Sequence, residues 1–184
     1  MQKIITCITE CHKKKKIVSL YCDPENPETH LTGFIDAFND KNLIVQHISP
    51  SGFYDGFILI QTDDILRIDV DGKYERKVEC LYKHKLQSHP ELKKQDDLLS
   101  SLFNHACENQ LLLSIELQEG FLTGCIKDYN GELLCMKLID RWGCSDGEAV
   151  VISSRIISIA VDTISEQDIR IVYEANNQNS LDNK

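Results

Sequence analysis

Apolar residues recur along this chain in short blocks with two different spacings. In one stretch they alternate with polar residues or run unbroken over residues 17–22, 31–38, 42–49, 54–61 and 64–70, and again over 111–117, 121–129, 132–140, 148–153 and 155–161. These blocks are rich in β-branched and aromatic side chains and are bounded by Gly, Pro, Asn and Asp, so they predict strands joined by turns. A further apolar segment closes each series, at 78–82 and 169–173. Before each series the spacing is helical: Ile4, Cys7, Ile8 and Cys11, then Leu99, Leu102, Phe103 and Ala106. Pro90 suits the first position of the second helix, with Ser88 or His89 as its cap.

The two series are one pattern written twice. Displaced by 91 positions, residues 31–82 fall on 122–173 without a gap, and sixteen of the 52 positions are identical. That is about 31 %, against roughly 6 % expected from average residue usage. Leu31-Thr32-Gly33 falls on Leu122-Thr123-Gly124, and Gly52, Asp55 and Gly56 on Gly143, Asp146 and Gly147. Upstream the displacement becomes 95, because the loop at 23–29 is four residues longer than its counterpart. A repeat at this period means two copies of one small domain. Gly33 and Gly124 sit inside strands, where glycine marks a sharp bend or a close backbone approach. The Gly-x-x-Asp-Gly segments read as hairpin turns.

The expected fold is mainly β: two tandem, small, antiparallel five-stranded barrels, each preceded by a short α-helix. The expected domains are residues 1–87 and 88–175, with a flexible polar tail at 176–184. Ile65, Ile68 and Val70, with Ile156, Ile159 and Val161, are expected in the two cores.

Composition narrows the function. A hydrophobic content of 42 % and a charged content of 27 % are ordinary for globular proteins. No apolar run approaches the roughly 20 residues of a membrane helix. The N-terminus does not follow a signal-peptide plan, since Lys13 to Lys16 follow its short apolar patch, so a cytoplasmic location is expected. The formal charge of −9 is uneven: residues 1–94 carry 14 Lys/Arg and 14 Asp/Glu, residues 95–184 carry 6 and 15. An acidic second copy repels phosphate, so nucleic-acid contact would belong to the first. None of the eight cysteines falls on another cysteine in the repeat, and no Cys-x-x-Cys pair occurs. Metal ligands, cofactors and structural disulfides are therefore not expected.

The segment Ile60-Gln61-Thr62-Asp63-Asp64-Ile65-Leu66-Arg67-Ile68 resembles the second motif of the Sm-like (LSm) family, Ile-Arg-Gly-x-x-Ile/Val-x-x-Ile. Val151 to Ile159 lies at the same place in the second copy. Gly33-x-Ile35, Asn39 and Asn42-Leu43 follow the first motif, as Gly124-x-Ile126, Asn130 and Leu133-Leu134 do more loosely. The resemblance covers most of both copies and implies barrels of the Sm-like, SH3-like type. It implies a pocket for a uridine-like base, with Asn39, Asn42, Gln61 and Thr62 as candidate RNA-binding residues. It also implies assembly by pairing the fourth strand of one subunit with the fifth of the next. The family's Arg-Gly is replaced here by Gln61-Thr62 and by Ser153-Ser154.

Lys13, Lys14, Lys15 and Lys16 form the one basic run, either a solvated helix end or a phosphate patch. Phe53, Tyr54 and Trp142 are candidate base-stacking aromatics. No histidine recurs in the repeat, and no nucleophile or phosphate-loop motif is present. The expected function is a non-catalytic tandem Sm-like module acting as a protein-interaction scaffold, self-associating or binding partners through strand edges. The alternatives are single-stranded RNA binding through the first barrel, and a cysteine-based small-molecule or metal sensor.

Overall fold

The computed structural model describes residues 2–87, 91–95 and 97–182, in two compact units, Met1–Lys94 and Gln95–Lys184. The first unit contains α1 (Gln2–Lys14), β1 (Ile17–Tyr21), β2 (Leu31–Phe38), β3 (Asn42–Ile48), β4 (Tyr54–Gln61), β5 (Arg67–Val70) and α2 (Lys73–Lys85). The second contains α3 (Leu98–Glu108), β6 (Leu113–Leu117), β7 (Gly120–Tyr129), β8 (Leu133–Ile139), β9 (Ser145–Ile152), β10 (Ser158–Val161) and α4 (Ile164–Asp182).

Within the first unit the strands pair antiparallel in the order β5-β1-β2-β3-β4, and within the second in the order β10-β6-β7-β8-β9. The register repeats as the displacements require. Val18 faces Gly33 as Leu113 faces Gly124, and Ile35 faces Val45 as Ile126 faces Met136. Irregularities recur too, at Ile35/Ala37 and Ile126/Asp128, and at Gln46/Ile48 and Lys137/Ile139. Shared register means shared inward faces.

The core of the first unit joins Ile8 and Cys11 of α1 to Val18, Leu20, Ile35, Leu43, Val45, Ile60 and Ile65. The i, i+3, i+4 stripe of α1 thus covers one face of the sheet. The helix stops at Lys15, whose φ of 48° lets the Lys16 N–H return to Cys11 O at 3.0 Å. Ile65, Ile156, Ile159 and Val161 are buried as expected, whereas Ile68 and Val70 are half-buried at the margin of the first core.

Two expectations need correction. The sheets are not closed barrels. After β4 the Thr62 N–H donates to Lys41 O and the Leu66 N–H to Tyr21 O, which carries β5 onto β1 and leaves β4 and β5 at opposite edges of the unit. Ser153 to Glu132 and Ile157 to Glu116 repeat this route in the second unit. Residues 78–82 and 169–173 are helical, in α2 and α4. Tyr74, Val78 and Tyr82 are spaced by four and pack on Ile17, Phe34 and Ile48 as one helical stripe. Residues 176–182 are part of α4. The Asn176 amide donates to Trp142 O and Gly143 O at 3.0 Å each, tying the helix to the β8–β9 turn. Ser88, His89 and Pro90 lie outside the described residues, and α3 begins at Leu98 with Asp97 accepting from the Ser100 N–H.

Candidate functional site

The structure brings Asn39, Asn42, Gln61 and Thr62 to one end of the first sheet. Asn42 pairs with Gln61 across β3 and β4, and the Thr62 hydroxyl donates to Asn39 O at 3.3 Å. The Asn39 side chain is committed to the turn: its Oδ1 accepts from Lys41 N–H at 2.9 Å and Asn42 N–H at 2.8 Å. Asn130 does the same for Glu132 and Leu133. Thr62 is buried.

The lysine run does not act as one patch. Lys16 turns back to an ion pair with Asp71, while Lys14 pairs with Glu10 along the helix at 3.3 Å. Lys14 and Lys15 line a cavity of about 640 Å³ whose walls come from α1, β2, β3, β4, α2 and residues 91–94. Its walls are apolar at depth, where Ile35, Phe57 and Leu92 are buried. Phe34 and Tyr82 meet edge to face there, with ring centroids 5.2 Å apart. The Gln46 amide stands 3.5 Å from the Tyr82 hydroxyl. His12 faces the same space, its Nδ1 2.9 Å from Ile35 O. None of Asn39, Asn42, Gln61 and Thr62 lines this cavity.

Elsewhere the chemistry is sparse. His47 Nδ1 lies 3.2 Å from Asp55 Oδ2, an ion pair whenever the imidazole is protonated. Among the described residues no group of three or more His, Cys, Asp or Glu is placed to hold a metal ion, and no helix is long and apolar enough to cross a membrane. Phe53 and Trp142 are both exposed, with the Lys85 ammonium 3.4 Å from the Phe53 ring centre and the Arg141 guanidinium 4.9 Å from that of Trp142.

All eight cysteines are free thiols. Burial, reinforced by the neighbouring Cys7 thiol, pushes Cys11 up to about 12, and burial alone accounts for most of the rise of Cys22 to about 11. Only thiolates alkylate readily, so position decides reactivity. In timed iodoacetamide labelling at neutral pH, Cys80 and Cys144, which are exposed, are expected to react first. Cys11 is expected to react only after denaturation. Native labelling of Cys11 as fast as Cys144 would mean that α1 is open.

Of the cavity residues, only Lys14 and Lys15 are among the binding candidates that the sequence suggests. Phe34, Gln46, Phe57, Tyr82 and Lys83 are spread over four elements, and no local motif links them. A signal is present in the positions where the repeat differs: Phe34 falls on Cys125, Phe57 on Glu148 and Lys83 on Glu174. Comparison with family models and with curated proteins returned no match for this chain.

Proposed function

We propose that this chain is a non-catalytic tandem module of the Sm-like type that serves as an interaction scaffold, joining copies of itself through strand edges. One observation carries the reading. On the outer face of β3–β4, Ile44 and Leu59 are 0 % and 2 % exposed. At the same positions of the second unit Cys135 is half-buried, and Val150 is 67 % exposed. Leu133 and Ile152, which pair across β8 and β9, are also exposed, Ile152 at 55 %. A face built to be covered is bare in one of its two versions. Clustered apolar side chains on an edge strand mark an interaction site.

A second copy is the partner whose strands match this edge. β9 is the fourth strand of its unit and lies at an edge, and β5 is the fifth strand of the first unit and also lies at an edge. Pairing β9 of one copy with β5 of the next is a head-to-tail contact, which gives a ring when the rotation closes. RNA gains less support at the Asn39 end, because the Asn39 Oδ1 and the Thr62 hydroxyl already hold the turn.

Light scattering after size exclusion is expected to show a discrete multimer at micromolar concentration. Val150→Glu with Ile152→Lys should convert it to monomer at unchanged melting temperature. A wild-type monomer throughout the micromolar range, or a multimer that survives the double substitution, overturns the reading. Nucleic-acid absorbance in the purified multimer that disappears with the lysines of α1 would favour RNA as the bound partner.

A further inference from the structure

We propose that the cavity of the first unit binds one nucleoside monophosphate, with the base against Phe34 and Tyr82 and the phosphate at the lysines of its mouth. The inference does not depend on the scaffold reading. A volume of about 640 Å³ falls within the range used by small-ligand sites.

The lining divides into two chemistries. The depth is aromatic and aliphatic, with Phe57 1 % exposed, and polar side chains, Gln46 among them, stand beside it. The Gln46 amide offers both donor and acceptor there, next to the Tyr82 hydroxyl. A flat heteroaromatic ring suits such walls because stacking on an aromatic face accepts any base.

The mouth is cationic but balanced. Lys14, Lys15, Lys83 and Lys94 face the space together with Asp36, Glu79 and Glu91. Lys83 pairs with Glu79 at 2.5 Å, and Lys94 approaches Asp36 at 3.7 Å. The Lys15 ammonium has no carboxylate partner among the described residues. Its position past the end of α1, at positive φ, holds it clear of the helix's own ion pairs. Such a mouth accepts a single phosphate, for which lysine acts as a point charge. Three carboxylates disfavour a polyphosphate, whose like charge they would repel. An inorganic anion would leave the aromatic walls unused, and an uncharged ring would leave the lysines unused.

The second unit supplies an internal comparison. It keeps Tyr173 where Tyr82 stands, and Gln110 repeats the positive φ of Lys15, at 54°. Apart from that tyrosine, the groups the ligand would use have changed. Phe34, Phe57 and Gln46 become Cys125, Glu148 and Lys137, and the Lys137 ammonium donates to the Tyr173 hydroxyl at 3.0 Å. Lys14, Lys15 and Lys83 become Asn109, Gln110 and Glu174. The framework is shared and the pocket chemistry is not, so the site belongs to the first unit alone.

Calorimetric titration of the full chain with adenosine and uridine monophosphates is the test. At least one is expected to bind, one per chain, with adenosine, uridine and orthophosphate weaker by about tenfold or more for want of either ring or charge. Lys15→Gln and Lys83→Glu install the residues of the second unit, which the same fold accepts. Each should weaken binding by about tenfold. Lys15→Gln should leave the melting temperature unchanged, and Lys83→Glu, which also loses the Glu79 pair, should lower it only slightly. Phe34→Cys should weaken the nucleotide without altering any residual affinity for orthophosphate. Absence of heat with both nucleotides at millimolar concentration overturns the proposal, as does orthophosphate binding equally well. Affinity indifferent to Lys15→Gln and Lys83→Glu also overturns it. A uridine-rich oligomer whose affinity grows with its length would replace the pocket with a strand running past the lysines.

Discussion

Gly33→Ala is expected to destabilise the first unit by about 3 kcal/mol or more, the upper range for a steric insertion into a packed core. A Cβ built on Gly33 lies 2.0 Å from Gln46 O and 2.8 Å from Val45 Cγ1. The obstacle is the backbone of β3, already committed to pairing with both β2 and β4. No rotamer change relieves such a contact, so the sheet must separate locally. Gly124 meets Lys137 O at the same 2.0 Å, so Gly124→Ala should act equally on the second unit. Both glycines have ordinary backbone angles, and the requirement is close approach alone. Urea unfolding followed by far-UV circular dichroism checks the pair. A loss below about 1 kcal/mol, typical of a tolerated surface change, would mean that the two strands do not approach so closely.

That close approach explains why the duplication is legible in the amino-acid sequence. Identities in a diverged repeat survive where geometry leaves no substitute. Gly33 and Gly124 admit no Cβ. Asp71 and Asp162 stand at φ of 59° and 57°, at the junction into α2 and α4. Asn39 and Asn130 close the same turn with their side-chain oxygens. The strands are legible for a different reason, since a half-buried sheet writes its period of two into the chain.

The segments that read as strands but fold as helix obey a period hidden by their length. Five residues at 78–82 fit a strand or a helix equally well, and the deciding partner, Tyr74, lies one turn upstream in a polar stretch. The open sheet is illegible because closure depends on which strand the backbone reaches after the short turn at Thr62–Asp64. Side-chain pattern carries no record of that choice. At the candidate site, the lysines are visible as a run in sequence, but the fold divides them: Lys16 goes to Asp71, and Lys14 and Lys15 go to the cavity. The walls of that cavity show only when distant residues are brought together.

Glu166→Ala is expected to cost the second unit about 3 kcal/mol, and Glu75→Ala the first unit about 2, from hydrogen bonds to a buried charged group. Glu75 and Glu166 are identical in the repeat and almost fully buried, at 5 % and 3 % exposure. Ser19 donates to Glu75 Oε1 at 2.5 Å and lies 3.3 Å from the Thr32 hydroxyl. Ser114 donates to Glu166 Oε1 at 2.6 Å and lies 2.8 Å from the Thr123 hydroxyl. Each glutamate is also the third residue of its helix, where a carboxylate can reach back to the cap. Glu166 Oε2 does so, accepting from the Thr163 N–H at 3.0 Å and from the Thr163 hydroxyl. In the first unit glycine replaces that threonine, and a Cβ on Gly72 would lie 2.4 Å from Glu75 Oε2. In the second unit one side chain therefore caps α4 and fastens it to β6, and in the first unit Glu75 fastens α2 to β1 beside the cavity. Every group facing Glu166 donates, so an amide can replace only part of the carboxylate. Glu166→Gln should accordingly cost about 1 kcal/mol, less than the alanine change. A double-mutant cycle of Ser114→Ala with Glu166→Ala should show coupling of about 1 kcal/mol, as for directly bonded neighbours. Additive losses would mean that helix and sheet are held by packing alone, and the shared glutamates would then need another explanation.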